Sequence, residues 1–188
     1  MKTRFIETEF TYDGTQLRSL FGYLEHKIQG DSAIAWIGAC SIPIKHMVDG
    51  EDVNAGATIA GDRMVHFIIE KFHAPLLAGV AIQRLFAAIV LDVLRDSTFS
   101  VRAQRLRREG DDLYLDKGKL SISIATVSPV STLIHFAINC TNEGTPVETA
   151  SLEDIGVDPK TFIVEALRRL ESEITTIDEA TVKVRWVP

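Results

Sequence analysis

From Gly79 to Leu91 the chain reads GVAIQRLFAAIVL, and only Gln83 and Arg84 interrupt its apolar side chains. Pro75 just upstream suits the first turn of a helix, which the pattern predicts to run to about Asp96. A helix this apolar has no face to give to water, so it must be buried over most of its circumference. The rest of the chain therefore has to supply partner layers, and its pattern supplies strands. Thr3 to Tyr12, Ser32 to Gly38 and Met64 to Phe72 read as strands, with His66, Ile68 and Glu70 on one face of the third. After the helix come Phe99 to Arg108, Leu113 to Leu115, Lys119 to Val127 and Ser131 to Cys140, with a hairpin turn at Asp116-Lys117-Gly118.

Helices are expected elsewhere. Leu17, Leu20, Phe21, Leu24 and Ile28 recur at helical spacing over Thr15 to Gln29, and a second amphipathic helix is predicted from Pro159 to Ile174 after a Ser151-capped turn. Ala180 to Val187 reads as a final strand. Residues 39 to 63, rich in glycine and acids, read as mainly irregular, with a helical turn near Lys45 to Val48. This order predicts an α+β fold with a mixed, largely antiparallel sheet packed with helices. At 188 residues it predicts one folding unit, 1–188.

Charge and cysteine content narrow the function classes. Lys plus Arg number 20 and Asp plus Glu 26, a formal charge of −6, so no basic excess is available to displace counterions from nucleic acid. The N-terminus has no apolar run behind its basic residues, and the stretch Leu85 to Leu91 is far shorter than a membrane span of roughly 20 residues. The expectation is a cytoplasmic protein with a small-molecule ligand, no nucleic-acid or membrane partner, and a sheet edge open to homodimerisation. Cys40 and Cys140 stand alone and read as buried thiols.

Chemistry-bearing residues concentrate after the apolar helix. Lys119, Ser121 and Ser123 fall on one strand face, and His135 and Asn139 on alternate positions of the next strand, which together suggest a polar pocket. Arg107 belongs to a group with Arg102, Arg105 and Arg108 that suits a phosphate or a carboxylate, or ion pairing with Glu109, Asp111, Asp112 and Asp116. His46, Asp49, His66 and Glu70 have ligand chemistry but match no metal-binding spacing, and no metal site is predicted. Walker, GxGxxG and GxSxG motifs are absent.

The segment from Asp111 to Asn139 resembles that of lipoate-protein ligases after their central helix. Asp112-Leu113, Gly118, Lys119-Leu120-Ser121 and the strand around His135 carry the likeness, with Trp36-Ile37-Gly38 and MVHFIIEKF upstream. As a whole, with GDSAIAWIGAC, HMVDGEDV and SIATVSPVSTLIHFAINC, the chain closely resembles an uncharacterised prokaryotic family related to the lipoate and biotin protein ligase superfamily. The resemblance implies a class II synthetase-like, biotin and lipoate ligase-like fold. It also implies ATP and magnesium as cofactors, Lys119 as the catalytic charge stabiliser, and Asp112, His135 and Asn139 as ligand-orienting groups. The sequence departs from the superfamily at its Arg-Arg-x-x-Gly-Gly-Gly loop: His46 to Asp62 holds only Gly50, Gly56 and Gly61 and no arginine pair. Ile122 also replaces the small residue expected after the Lys-Leu-Ser step. Two readings stay open, an ATP-dependent acyl or adenylyl transferase and a non-catalytic carboxylate- or nucleotide-binding protein.

Overall fold

The computed structural model describes residues 1–96 and 100–187. Five strands form the main sheet in the order β1-β2-β3-β8-β7: β1 (Lys2–Ile6), β2 (Ser32–Ile42), β3 (Ile59–Phe72), β7 (Ser121–Val127) and β8 (Ser131–Asn139). Among these five strands only the β1 to β2 pairing is parallel. A second, three-stranded sheet is formed by β4 (Leu106–Glu109), β5 (Asp112–Leu115) and β6 (Gly118–Lys119). The central strands β2, β3 and β8 are buried on both faces, which is why they read as nearly continuous apolar runs.

One face is covered by α3 (Leu76–Arg95) and α5 (Pro159–Thr181). Phe67 meets Phe86 edge-on at 4.9 Å between ring centroids, and Phe86 meets Phe136 at 5.2 Å. Thus α3 is 20 residues long and apolar enough by composition to cross a bilayer, unlike the short run read from the sequence, yet its Phe86, Val90 and Leu94 pack into this core. Lys71 bridges Asp31 at 2.6 Å and Asp178 at 2.9 Å, holding the end of α5 to the sheet.

The other face is covered by the segment around residues 10–30. Trp36 stacks on Phe10 at 4.5 Å and donates its Nε1–H to the Phe10 carbonyl, while Tyr12, Phe21 and Ile28 complete a second cluster. Gly38 permits this approach, since a Cβ there would lie 1.9 Å from the Phe10 oxygen.

Several elements differ from expectation for tertiary reasons. The first strand stops at Ile6, and Tyr12 makes only an isolated bridge to Cys40. The helix expected over Thr15 to Gln29 is reduced to α1 (Phe21–His26), because both carboxylate oxygens of buried Glu70 accept the Leu20 N–H and hold Leu20 at φ 64°. Residues 39 to 63 are more regular than predicted. There β2 runs on to Ile42, a 3₁₀ turn forms at Ile44–His46, Asp49 caps α2 (Gly50–Ala55), and β3 starts at Ile59. The strand read from Phe99 begins outside the described residues and is otherwise a 3₁₀ turn, Arg102–Arg105, followed by β4. Ser151 caps α4 (Leu152–Ile155) through a capping box. Finally α5 extends to Thr181 and leaves 182–187 without a partner strand: Val182, Val184 and Trp186 are exposed, because alternation alone cannot make a strand where no edge meets it.

Candidate functional site

A cavity of about 600 Å³ opens on the face opposite α3 and α5, over β7 and β8. Its walls come from the sheet, from residues 46–60, and from the loop at 145–149. Lys119, Asp112, Ser121, Ser123, His135 and Asn139 all border it; Arg107 does not.

Lys119 sits on the short strand β6, fixed by pairing with Tyr114 and by its carbonyl, which accepts from Ala150 N–H and from Asn139 Nδ2. Its Nζ lies 2.9 Å from Asp112 Oδ2, so the amine stands at the cavity already matched to a carboxylate. Among the lining residues it is the only Lys or Arg, against Asp49, Glu51, Asp52, Asp111 and Asp112. Asp49 is partly committed, since it accepts from the N–H groups that begin α2.

Strand alternation distributes the other side chains differently from the sequence picture. Ser121 and Ser123 sit opposite Ile138 and Phe136, on the side of the helices. Ser121 Oγ accepts the Leu113 N–H, and Ser123 Oγ donates to Asp111 while accepting from Gln83 of α3. Both residues line the cavity, but their hydroxyls already have internal partners. Their neighbours Ile122 and Ile124 sit opposite Ala137 and His135 and turn apolar surface to the open side. Arg107 lies on the outer hairpin, stacked over Tyr114 at 4.4 Å and paired with Glu109, while Arg105 pairs with Asp116 at 2.6 Å. Arg105 and Arg107 are thus committed to carboxylates of the hairpin and Arg108 to the Gly110 carbonyl, and the distance of Arg107 from the cavity follows from β4 being the far strand of the small sheet.

The innermost wall holds a row of rings that the sequence did not bring together. Tyr12 lies flat on His135 at 3.7 Å between centroids, and His135 Nε2 is 3.1 Å from His66 Nδ1. His66 Nε2 is 3.3 Å from the Gly38 carbonyl. Burial pushes His66 down to about 4 and His135 well below the ordinary histidine range, with the neighbouring His66 adding to the second shift. Burial also drives the Tyr12 hydroxyl far above its ordinary range. Tyr12 carried no local signal, since its partners are remote in sequence. His46 contacts the Asp13 carbonyl, and Glu70 is bonded to Leu20 and Ser131, so the four residues weighed as metal ligands are dispersed. Among the described residues no three His, Cys, Asp or Glu gather around a metal-sized space. Cys40 and Cys140 are buried thiols, each pushed up to about 12 by desolvation.

Comparison with known proteins places this arrangement. Residues 1–185 match the family described as a domain of unknown function, DUF366. A solved protein of unknown function from Pyrococcus horikoshi is 37% identical, with a TM-score of 0.91 over 99% of this chain and 100% of that one. A biotin protein ligase from Aquifex aeolicus, in complex with biotin and ATP, superposes with a TM-score of 0.57 at 14% identity, over 95% of this chain and 72% of that one. A protein from T. acidophilum described as a lipoate protein ligase, with bound lipoic acid, gives 0.55 at 15% identity, over 92% and 85%. Likeness at such low identity shows a shared fold, the mixed α+β fold of the biotin and lipoate ligases.

Proposed function

The chain belongs to the DUF366 family, and on that footing we propose that it is an enzyme related to the lipoate and biotin ligases, one that activates a small organic acid with ATP in the cavity beside Lys119. The observation that carries this reading is the position of Lys119, the single Lys or Arg lining a ligand-sized cavity in a ligase fold. An acid entering there competes with Asp112 for the amine, and the freed amine stabilises charge as it shifts between carboxylate and phosphate. In such a step the carboxylate oxygen attacks the α-phosphorus of ATP and pyrophosphate departs.

The residues fit an ATP site only in part. No arginine and none of Gly50, Gly56 and Gly61 line the cavity, so backbone cradling of phosphates is missing. A magnesium ion would have to arrive on the nucleotide, held by phosphates and one or two carboxylates such as Asp111. The same observation favours a second reading, a binding protein that kept the cavity without the nucleotide chemistry.

Thermal unfolding separates the two. ATP with magnesium at one hundred times its Kd would stabilise by about 2.7 kcal/mol, which is several degrees in Tm at this size. Lys119→Ala abolishes that rise if the enzyme reading holds. Stabilisation by biotin or lipoic acid alone, with none from nucleotide, selects the binding protein. A nucleotide effect that survives Lys119→Ala refutes the role given to the amine.

A further inference from the structure

Strand register lines up one whole end of the main sheet. Lys2, Ser32, Glu70, Leu133 and Thr126 stand side by side across its five strands. Around that row gather α1, which receives Glu70 at Leu20, the first turn of α3, the β7 to β8 hairpin, and the last turns of α5, where Asp178 meets Lys71. Lys119 is bonded to Asn139 at the other end of β8, so contact here leaves the Lys119 side of the cavity open.

This end leaves many of its apolar side chains in water. Leu76 and Leu77 open α3, Val127 and Val130 flank the hairpin, and Tyr23 and Leu24 project from α1; all six are exposed, Leu77 by 82%. The His73 N–H donates to the Val130 carbonyl at 3.1 Å, which joins the start of α3 to the hairpin. A shallow apolar groove lined by Leu20, Tyr23, Phe72 and His73 continues the surface to α1. No Lys, Arg, Asp or Glu occurs in 73–80 or in 127–132. Past α5 the chain reads VKVRWV over 182–187, and Trp186 is 80% exposed. In an extended chain Val182, Val184 and Trp186 share one side and Lys183 and Arg185 the other. Apolar side chains grouped in this way, rather than scattered singly, mark a contact surface.

Charge decides the partner. Lys2, Arg4, Lys27, Lys183 and Arg185 make no ion pair among the described residues. Lys2, Arg4 and Lys27 donate to the carbonyls of Gln29, His26 and Leu24, which keeps them at this end. Against these five stand Glu171 and Glu179, and the surplus left where Asp31 and Asp178 share Lys71. Arg18 and Glu25 cancel. The end is therefore net positive in a chain whose formal charge is −6. Two copies meeting by this end would set like charge against like. An anionic lipid surface gains from the same cations, and it moulds itself around protruding loops without a complementary groove.

We propose that this end of the sheet docks on a bilayer rich in anionic lipid, with Leu24, Leu77, Val130 and Trp186 entering the headgroup boundary and Lys2, Lys27, Lys183 and Arg185 meeting the headgroups. This is independent of the function proposed above. It goes against the absence of a membrane partner expected from the shortness of the apolar runs. That expectation bears on segments that span, and a surface that lies on a bilayer needs none. The body of α3 stays packed in the core, and only its first turn touches lipid.

The test is co-sedimentation of the full chain with vesicles of phosphatidylcholine alone and of phosphatidylcholine mixed with phosphatidylglycerol. The expected result is binding about tenfold tighter to the anionic vesicles, weakening as salt is raised. Lys183→Gln with Arg185→Gln weakens it by about thirtyfold, near fivefold for each cation lost. Leu77→Ser weakens it by about tenfold, the effect of one aliphatic side chain withdrawn from the boundary. All three side chains are exposed, so Tm without lipid stays unchanged and serves as the control for folding. Trp36 is buried against Phe10, so a blue shift of fluorescence on adding vesicles comes from Trp186 and vanishes in Trp186→Phe. Failure to sediment with the anionic vesicles, or binding that these substitutions leave unchanged, overturns the docking surface. So does concentration-dependent dimerisation that Leu77→Ser abolishes, since a second copy would then cover this end.

Discussion

Lowering the pH from 7 to 5 should destabilise this protein along a slope set by two histidines. His66 has a folded pKa of about 4 against an ordinary 6.5, and His135 is also depressed; the first cause in each case is burial. A histidine whose folded pKa is lowered takes up its proton in the unfolded chain first. Its contribution is therefore complete above about pH 6.5 and is lost as pH falls towards the folded value. For His66 the gap between 6.5 and about 4 is worth about 3 kcal/mol, from roughly 1.36 kcal/mol per pKa unit. With both rings neutral in the fold and charged in the unfolded chain, stability should drop by about 2 kcal/mol per pH unit between pH 6 and 5. Urea unfolding followed by circular dichroism at pH 7, 6, 5.5 and 5 measures this directly. The carboxylates act lower: Glu165, held down to about 2 by Arg168 and Arg169, loses its contribution only below its ordinary value of 4.5. A slope under about 0.5 kcal/mol per pH unit between 6 and 5 would refute the neutral state of the His66–His135 pair, since two rings kept neutral in the fold must take up protons on unfolding. So would an NMR titration in which both rings take up protons near pH 6.

Gly38→Ala should destabilise by about 1–3 kcal/mol, as overpacking against backbone does, since its Cβ would meet the Phe10 oxygen at 1.9 Å. Chemical denaturation checks it, and a change in Trp36 fluorescence should accompany it as the bond to Phe10 is lost. Gln83→Leu should cost about 1 kcal/mol through the lost amide donor to half-buried acceptors, because Gln83 Nε2 is 2.8 Å from both Asp111 and Ser123; calorimetry gives the value. Truncation after Thr181 should leave Tm within about 2 °C of the full chain, as surface changes do, since Val182, Val184, Trp186 and Val187 are each at least 74% exposed. A larger loss in the truncated chain would mean that this tail packs somewhere.

Short-range pattern was enough for much of this protein. Apolar runs marked β2, β3, β8 and α3, because strands and helices buried on both sides cannot carry polar residues at any regular interval. The turns at Asp116-Lys117-Gly118 and Ser151 were legible from residues whose backbone preferences act locally. So was the Lys119 segment, whose likeness to ligases lies in contiguous residues. Tertiary contact decided the rest. A carboxylate from β3 reset Leu20 and cut the first helix short, and the absence of a neighbouring edge left 182–187 exposed. Strand parity, set only once β7 paired with β8, gave the serine hydroxyls to Gln83, Asp111 and Leu113 and the isoleucines to the cavity. The innermost wall depended most on folding. Tyr12, His66 and His135 come from a loop and two strands, and the carbonyl that meets His66 comes from a third, an order that no stretch of sequence encodes by itself.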